Sequence, residues 1–147
     1  MKKIPVVKQR DIKDCGPCCL SSILKYYNGF VPLEIIHNDC YTNVNGTTAY
    51  HLISALNKYG FDSYGLKTDK ITKDLLMPAV LHLQLKNGLN HFVVVYKVTK
   101  NYIVIMDPAK GVVKMPLNEF YEIFSGIVVV CYPKGNEIIK REETSII

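Results

Sequence analysis

Two hydrophobic periods divide the chain. In the first half, Leu20, Ile23, Leu24 and Tyr27 recur at the spacing of one helix face. Asp14 stands where an N-cap belongs, Pro17 falls in the first turn where proline is tolerated, and Asn28-Gly29 stops the run. A shorter helix is predicted from Pro32 towards Asp39. Asn43 to Thr47 is a polar loop. Thr48 is placed to cap a third helix through Leu52, Leu56 and Tyr59, ended by Gly60.

The second half reads as strands. Ala79–Leu85, Phe92–Val98, Tyr102–Met106, Val112–Met115 and Ile127–Tyr132 are short and rich in β-branched and aromatic residues. Asn87-Gly88, Lys100-Asn101, Pro108–Gly111 and Ser125-Gly126 supply turn chemistry between them. Leu117–Phe124 is expected to be a short helix before the last strand. Helices first and an antiparallel meander second make an α+β fold, with N-terminal helices packed on a C-terminal antiparallel sheet. Beyond Pro133 the chain is charged and thin in apolar residues, so residues 1–135 are expected to form the domain and 136–147 a tail or linker.

Composition agrees with one globular domain: 147 residues, 48% hydrophobic and 21% charged. No apolar run approaches the roughly 18 residues of a spanning helix, and Pro5 and Lys8 interrupt any hydrophobic segment after Lys2 and Lys3, so no secretory signal is expected. The net charge of +5 gathers at Lys2, Lys3, Lys8, Arg10 and Lys13. A solvated lysine-rich face explains it, and an acidic partner or an anionic membrane surface would also suit it. An aromatic ribonucleoprotein pattern, finger spacing and a basic helix are all missing, so no nucleic-acid partner is expected. Five cysteines, three of them within Cys15–Cys19, make a poor disulfide framework and fit a reducing compartment.

The chemistry gathers in three places. In Asp14-Cys15-Gly16-Pro17-Cys18-Cys19-Leu20, Cys15 opens a helix, where unpaired N–H groups and the helix dipole favour thiolate over thiol. Gly16 is expected to let a substrate backbone approach. Gln9 is placed to donate its amide to an oxyanion beside Cys15, with the Cys15 N–H as second donor. Then Asn90-His91 opens an apolar strand, and Ile103–Met106 ends in Asp107-Pro108. If these strands pair through Lys100-Asn101, His91 and Asp107 come close to level, and the carboxylate fixes the imidazole tautomer. Each has a plainer role: buried thiol, structural histidine, Asp-Pro turn. The ordered set Gln, Cys, His, Asp across an α-then-β chain carries the weight.

That set resembles the papain-like cysteine peptidases, and within them the double-glycine leader peptidase family: the bacteriocin-processing, N-terminal domains of peptidase-containing ABC transporters. The resemblance rests on Gln9-x5-Cys15-Gly16-Pro17-x-Cys19-Leu20, Asn90-His91-Phe92-Val93 and Asp107-Pro108, and spans about residues 5–133. It implies Cys15, His91 and Asp107 as triad, Gln9 as oxyanion donor, no cofactor, and cleavage after a Gly-Gly-type pair in a slot too narrow for a Cβ. It also implies an amphipathic leader on the precursor peptide, an ABC transporter's transmembrane and ATPase domains as partners, and a place at the cytoplasmic face of the cell membrane. The tail would then lead to a membrane domain. Cys18 stands where the family is expected to carry a small residue such as alanine.

Three other readings fit less well. Cys15-x2-Cys18 lacks the second ligand pair of a zinc knuckle. Gly60-x4-Gly65-Leu66-Lys67-Thr68 has an extra residue before the lysine and misses the phosphate-binding loop. A leader-binding module without catalysis would share the fold and groove, but Cys15 argues for an active enzyme.

Overall fold

The computed structural model describes residues 2–135. A single 3-10 turn, Ile12–Asp14, leads into three helices: α1 (Cys15–Tyr26), α2 (Leu33–Asp39) and α3 (Ala49–Lys58). Six strands and one helix follow: β1 (Phe61–Lys67), β2 (Ala79–Gln84), β3 (Asn90–Val98), β4 (Tyr102–Asp107), β5 (Gly111–Pro116), α4 (Leu117–Ile123) and β6 (Phe124–Pro133).

The helix signals act largely as their chemistry dictates. Asn28 takes φ +63° after α1, Gly60 takes φ +96° after α3, and the Thr48 hydroxyl accepts the His51 N–H. Asp14 is the exception. It occupies the N-cap of α1 without a side-chain capping bond. Its Oδ1 lies 3.4 Å from His37 Nε2 on α2, within ion-pair range but not aligned as a hydrogen bond.

The strands form one antiparallel sheet in the order β1-β6-β2-β3-β4-β5. The expected meander therefore holds only from β2 to β5. After β5, α4 carries the chain back so that β6 slots between β2 and β1. The sequence reading missed β1 because Phe-Asp-Ser-Tyr-Gly-Leu-Lys lacks alternation, and only Phe61 is buried in this edge strand. Ser125-Gly126 is not a turn. It lies within β6, where the β2–β6 register shifts and Gly126 takes φ +95°.

Both faces of the sheet are covered, which explains the unbroken apolar run in β3. Val94 and Tyr96 pack under α1 and α3 with Leu20, Ile23, Leu52 and Leu56. Val93 and Val95 face the other way, with Leu81, Ile105, Phe120 and Val128. Ten consecutive residues at the start of α1, Cys15 to Leu24, are buried. The helix end that carries Cys15 is thus held rigidly against the sheet.

Candidate active site

Cys15 is the first residue of α1 and is 6% exposed. Gly16 fixes how closely this end seats. A Cβ there would meet Thr47 Cγ2 at 2.4 Å and Leu52 Cδ2 at 3.1 Å. That corrects the expectation that Gly16 makes room for substrate: the space is filled by the protein's own core. Pro17 lacks only an N–H that the first turn leaves without an intrahelical partner.

β3 and β4 deliver the other two groups. Near the turn the register pairs Val98 with Ile103 and Lys97 with Val104; beyond it, Val95 pairs with Ile105 and Val94 with Met106. Tyr96 is the extra residue between these registers. Without this bulge, Asp107 would continue opposite Val94, on the wrong face for His91. With it, Asp107 continues opposite Val93 and shares a face with His91, and His91 Nε2 meets Asp107 Oδ1 at 2.7 Å. The Tyr96 hydroxyl is tied to Ser22 on α1 at 2.7 Å, so the bulge is pinned to the helix that carries Cys15.

Asp107 combines two roles that sequence alone left as alternatives. Its carbonyl accepts the Lys110 N–H and its Oδ1 accepts the Ala109 N–H at 2.8 Å, forming a turn. The same Oδ1 accepts from His91. With Nε2 engaged, Nδ1 is left for Cys15, to which the ring also hydrogen-bonds. Burial pulls His91 towards its neutral form. The hydrogen bonds to Asp107 and Cys15, with their negative charge, outweigh burial and raise its pKa from 6.5 to about 9. Burial pushes Asp107 the other way, but the bonds from His91 and Ala109 hold its carboxyl below the usual range.

Gln9 arrives from the opposite side. The N-terminal arm is fastened to α1 where Ser22 donates to the Pro5 carbonyl at 2.7 Å. It reaches the turn just after β4, where the Gln9 N–H donates to the Pro108 carbonyl at 2.9 Å. The side-chain amide oxygen is buried without a partner, so no protein group ties that end of the amide down. Gln9, Asn90, His91, Asp107 and Ala109 line one cleft of about 640 Å³, with Val44 and Leu89 exposed along it. Three of the four residues expected from the sequence, Gln9, His91 and Asp107, line this cleft, and Cys15 sits behind it as a neighbour of His91.

His82 is a neighbour that sequence reasoning passed over. On β2 it bonds Ser125 through Nδ1 at 2.7 Å, packs on Phe92, and is bonded to Asn90, whose side chain it steadies at the cleft. Burial, and secondarily the charge of His91, hold its pKa down against the Asn90 bond. An unremarkable position in an apolar strand gave no signal of this. Among the described residues no group of three His, Cys, Asp or Glu is arranged to hold a metal ion.

Residues 3–136 match the model of the peptidase C39 family. The chain belongs to the peptidase C39 family. This C39 domain is 35% identical over 138 residues to the lactococcin-G-processing and transport ATP-binding protein LagD of Lactococcus lactis, covering 92% of this chain and 19% of LagD. It is 32% identical over 140 residues to the transport/processing ATP-binding protein ComA of Streptococcus pneumoniae, covering 92% and 20%. The chain thus spans about a fifth of the length of these relatives. Among solved structures it superposes on a double glycine motif protease from an AMS/PCAT transporter, in complex with the leader peptide, at TM-score 0.83 and 35% identity, covering 89% of this chain and 92% of that one. It matches the peptidase domain of Streptococcus ComA at TM-score 0.83 and 29% identity, covering 89% and 99%. The fold is that of papain-like cysteine peptidases.

Proposed function

We propose that this domain removes the leader from a secreted precursor peptide after a Gly-Gly-type pair. Cys15 is the nucleophile, His91 its acid and base, Asp107 the orienting carboxylate and Gln9 the oxyanion donor. The observation that carries the reading is His91 held between Cys15 and Asp107, all three less than a tenth exposed. The peptide relatives and the leader-bound structural neighbour support the substrate class.

His91 takes the proton of the Cys15 thiol, and the bond to Asp107 stabilises the imidazolium that forms beside the thiolate. The sulfur attacks the carbonyl of the final leader residue. The Gln9 amide and the Cys15 N–H stabilise the oxyanion. His91 then gives its proton to the departing amine, leaving a thioester. Water, deprotonated by His91, attacks the thioester, releases the leader carboxylate and restores the thiolate–imidazolium pair. Asp107 keeps Nδ1 aimed at Cys15 throughout. No step calls for a cofactor.

By analogy with the relatives, the domain works beside the membrane and ATPase domains of an ABC transporter, at the cytoplasmic side where the precursor is made. Residues 1–135 are assigned to the peptidase, and 136–147, which lie outside the described residues, to a charged tail or a linker to a membrane domain. The test is to incubate the purified domain with a candidate precursor and locate the cut by mass. A single cut after a small-residue pair is expected. A precursor that binds the domain and stays whole would instead identify a leader-binding module.

A further inference from the structure

Cys18 has no part in the chemistry above, yet it stands one helical turn from the nucleophile. Cys15-Gly16-Pro17-Cys18 is a Cys-x-x-Cys pair opening a twelve-residue helix, the arrangement on which thioredoxin-like oxidoreductases carry a reversible disulfide. We propose that Cys15 and Cys18 form a reversible disulfide under peroxide, which switches the peptidase off and shields its nucleophile from irreversible oxidation. The proposal rests on Cys15 being the reactive thiol of the reading above.

Helix geometry sets residues three apart at about 5 Å between Cα atoms, inside the roughly 4.4–6.8 Å window of disulfides. The Cβ atoms of such a pair start about 5–6 Å apart, so the first turn must tighten slightly. Little backbone hydrogen bonding opposes this, because Pro17 has no N–H and the donors before Cys18 lack intrahelical partners. Both thiols are enclosed, Cys18 fully, so an intramolecular partner is the one most readily reached.

The surroundings divide the two sulfurs' roles. Cys15 is hydrogen-bonded to His91. Burial, then the charges of Asp14 and Cys15, push the Cys18 thiol up to about 12, against a weaker pull from Lys25. Burial thus keeps Cys18 as the thiol, the partner that brings its own proton to the second step. Cys19, four residues on, is also within reach of Cys15 by helix geometry and shares its buried cluster with Leu20, Cys40 and Leu52, so the choice of Cys18 rests on the Cys-x-x-Cys spacing and is decided by the Cys19→Ala variant.

The chemistry balances with a hydroperoxide as oxidant. The Cys15 thiolate attacks one peroxide oxygen; the O–O bond breaks, and a sulfenic acid and water result after protonation. Cys18 sulfur then attacks Cys15 Sγ, the S–OH bond breaks, and the Cys18 proton leaves with the hydroxyl as a second water. Two thiols have supplied two electrons. A dithiol returns them by two exchange steps.

Hydrogen peroxide added to the purified domain tests this, with the mass of the Cys15-containing peptide read independently of any cleavage assay. The parent chain should lose two hydrogens and its activity together, and dithiothreitol should restore both. Cys19→Ala should behave alike. Cys18→Ala should start with parent-like activity, then gain oxygen at Cys15 and stay inactive after dithiothreitol. Recovery of Cys18→Ala as full as the parent's, or a two-hydrogen loss that persists in it, would overturn the proposal. A disulfide that forms in a chain that never cleaves any precursor would count against the peptidase reading alone.

Discussion

Replacing Asp107 probes the most informative contact in the site. The rise of His91 from 6.5 to about 9 is a net preference for the protonated ring of about 3 kcal/mol at 1.36 kcal/mol per pH unit. That net includes a burial penalty, so the favourable contacts supply more than it, and the 2.7 Å bond to Asp107 is the leading one. Asp107→Ala removes that bond and its charge and leaves burial in place. His91 then loses its proton at lower pH. Because the attacking form needs His91 protonated, activity falls as pH rises through the His91 pKa, and the alkaline limb of kcat/KM should move towards neutrality in Asp107→Ala. At neutral pH the loss should be about a hundredfold, within the range that a misplaced acid–base partner costs. Asp107→Asn keeps an acceptor for Nε2 and should lose only about tenfold; a serine triad loses far more, about ten-thousandfold, because it must deprotonate a hydroxyl. His91→Ala should be nearly inactive. The assay is cleavage of one leader peptide across pH by all four proteins. An Asp107→Ala domain with the parent's rate and an unmoved alkaline limb would reduce Asp107 to a turn residue.

Gln9→Ala should slow turnover by about a hundredfold to a thousandfold, the usual cost of one oxyanion donor, with KM nearly unchanged; a raised KM at constant kcat would make Gln9 a binding residue. Gly16→Ala must push Thr47 or Leu52 aside and should destabilise the fold by about 1–3 kcal/mol, read as a lower urea midpoint at constant slope; an unchanged midpoint would contradict the packing account. A precursor whose final leader glycine is replaced by valine should remain whole, and equal cutting of both peptides would show that no narrow slot exists.

The parts of the fold with strong local signals were legible. The helices of residues 15–58 follow period and stop signals, and the β2-to-β5 hairpins follow their turn residues. Non-local features were not. β6 between β1 and β2 is a pairing choice with no local mark, and β1 hides in a polar, glycine-containing segment. The site shows the same division. Gln9, Cys15, His91 and Asp107 are visible as residue types in order, and the Lys100-Asn101 turn foretells that two of them approach. What lets them share a face is the Tyr96 bulge, and a one-residue register shift leaves no trace in an apolar run. Gly16 misled because a glycine beside a nucleophile looks the same whether a substrate or the protein's own Thr47 fills the space. His82 escaped notice because its bonds to Ser125 and Asn90 join three strands.

The central claim is that Cys15 is the nucleophile of a leader peptidase. Its most direct test is the Cys15→Ala domain mixed with a precursor that the parent domain cuts, with the peptide followed by mass and its binding by titration. The account predicts unchanged binding and no cleaved product. Cleavage by Cys15→Ala at the same bond would contradict it.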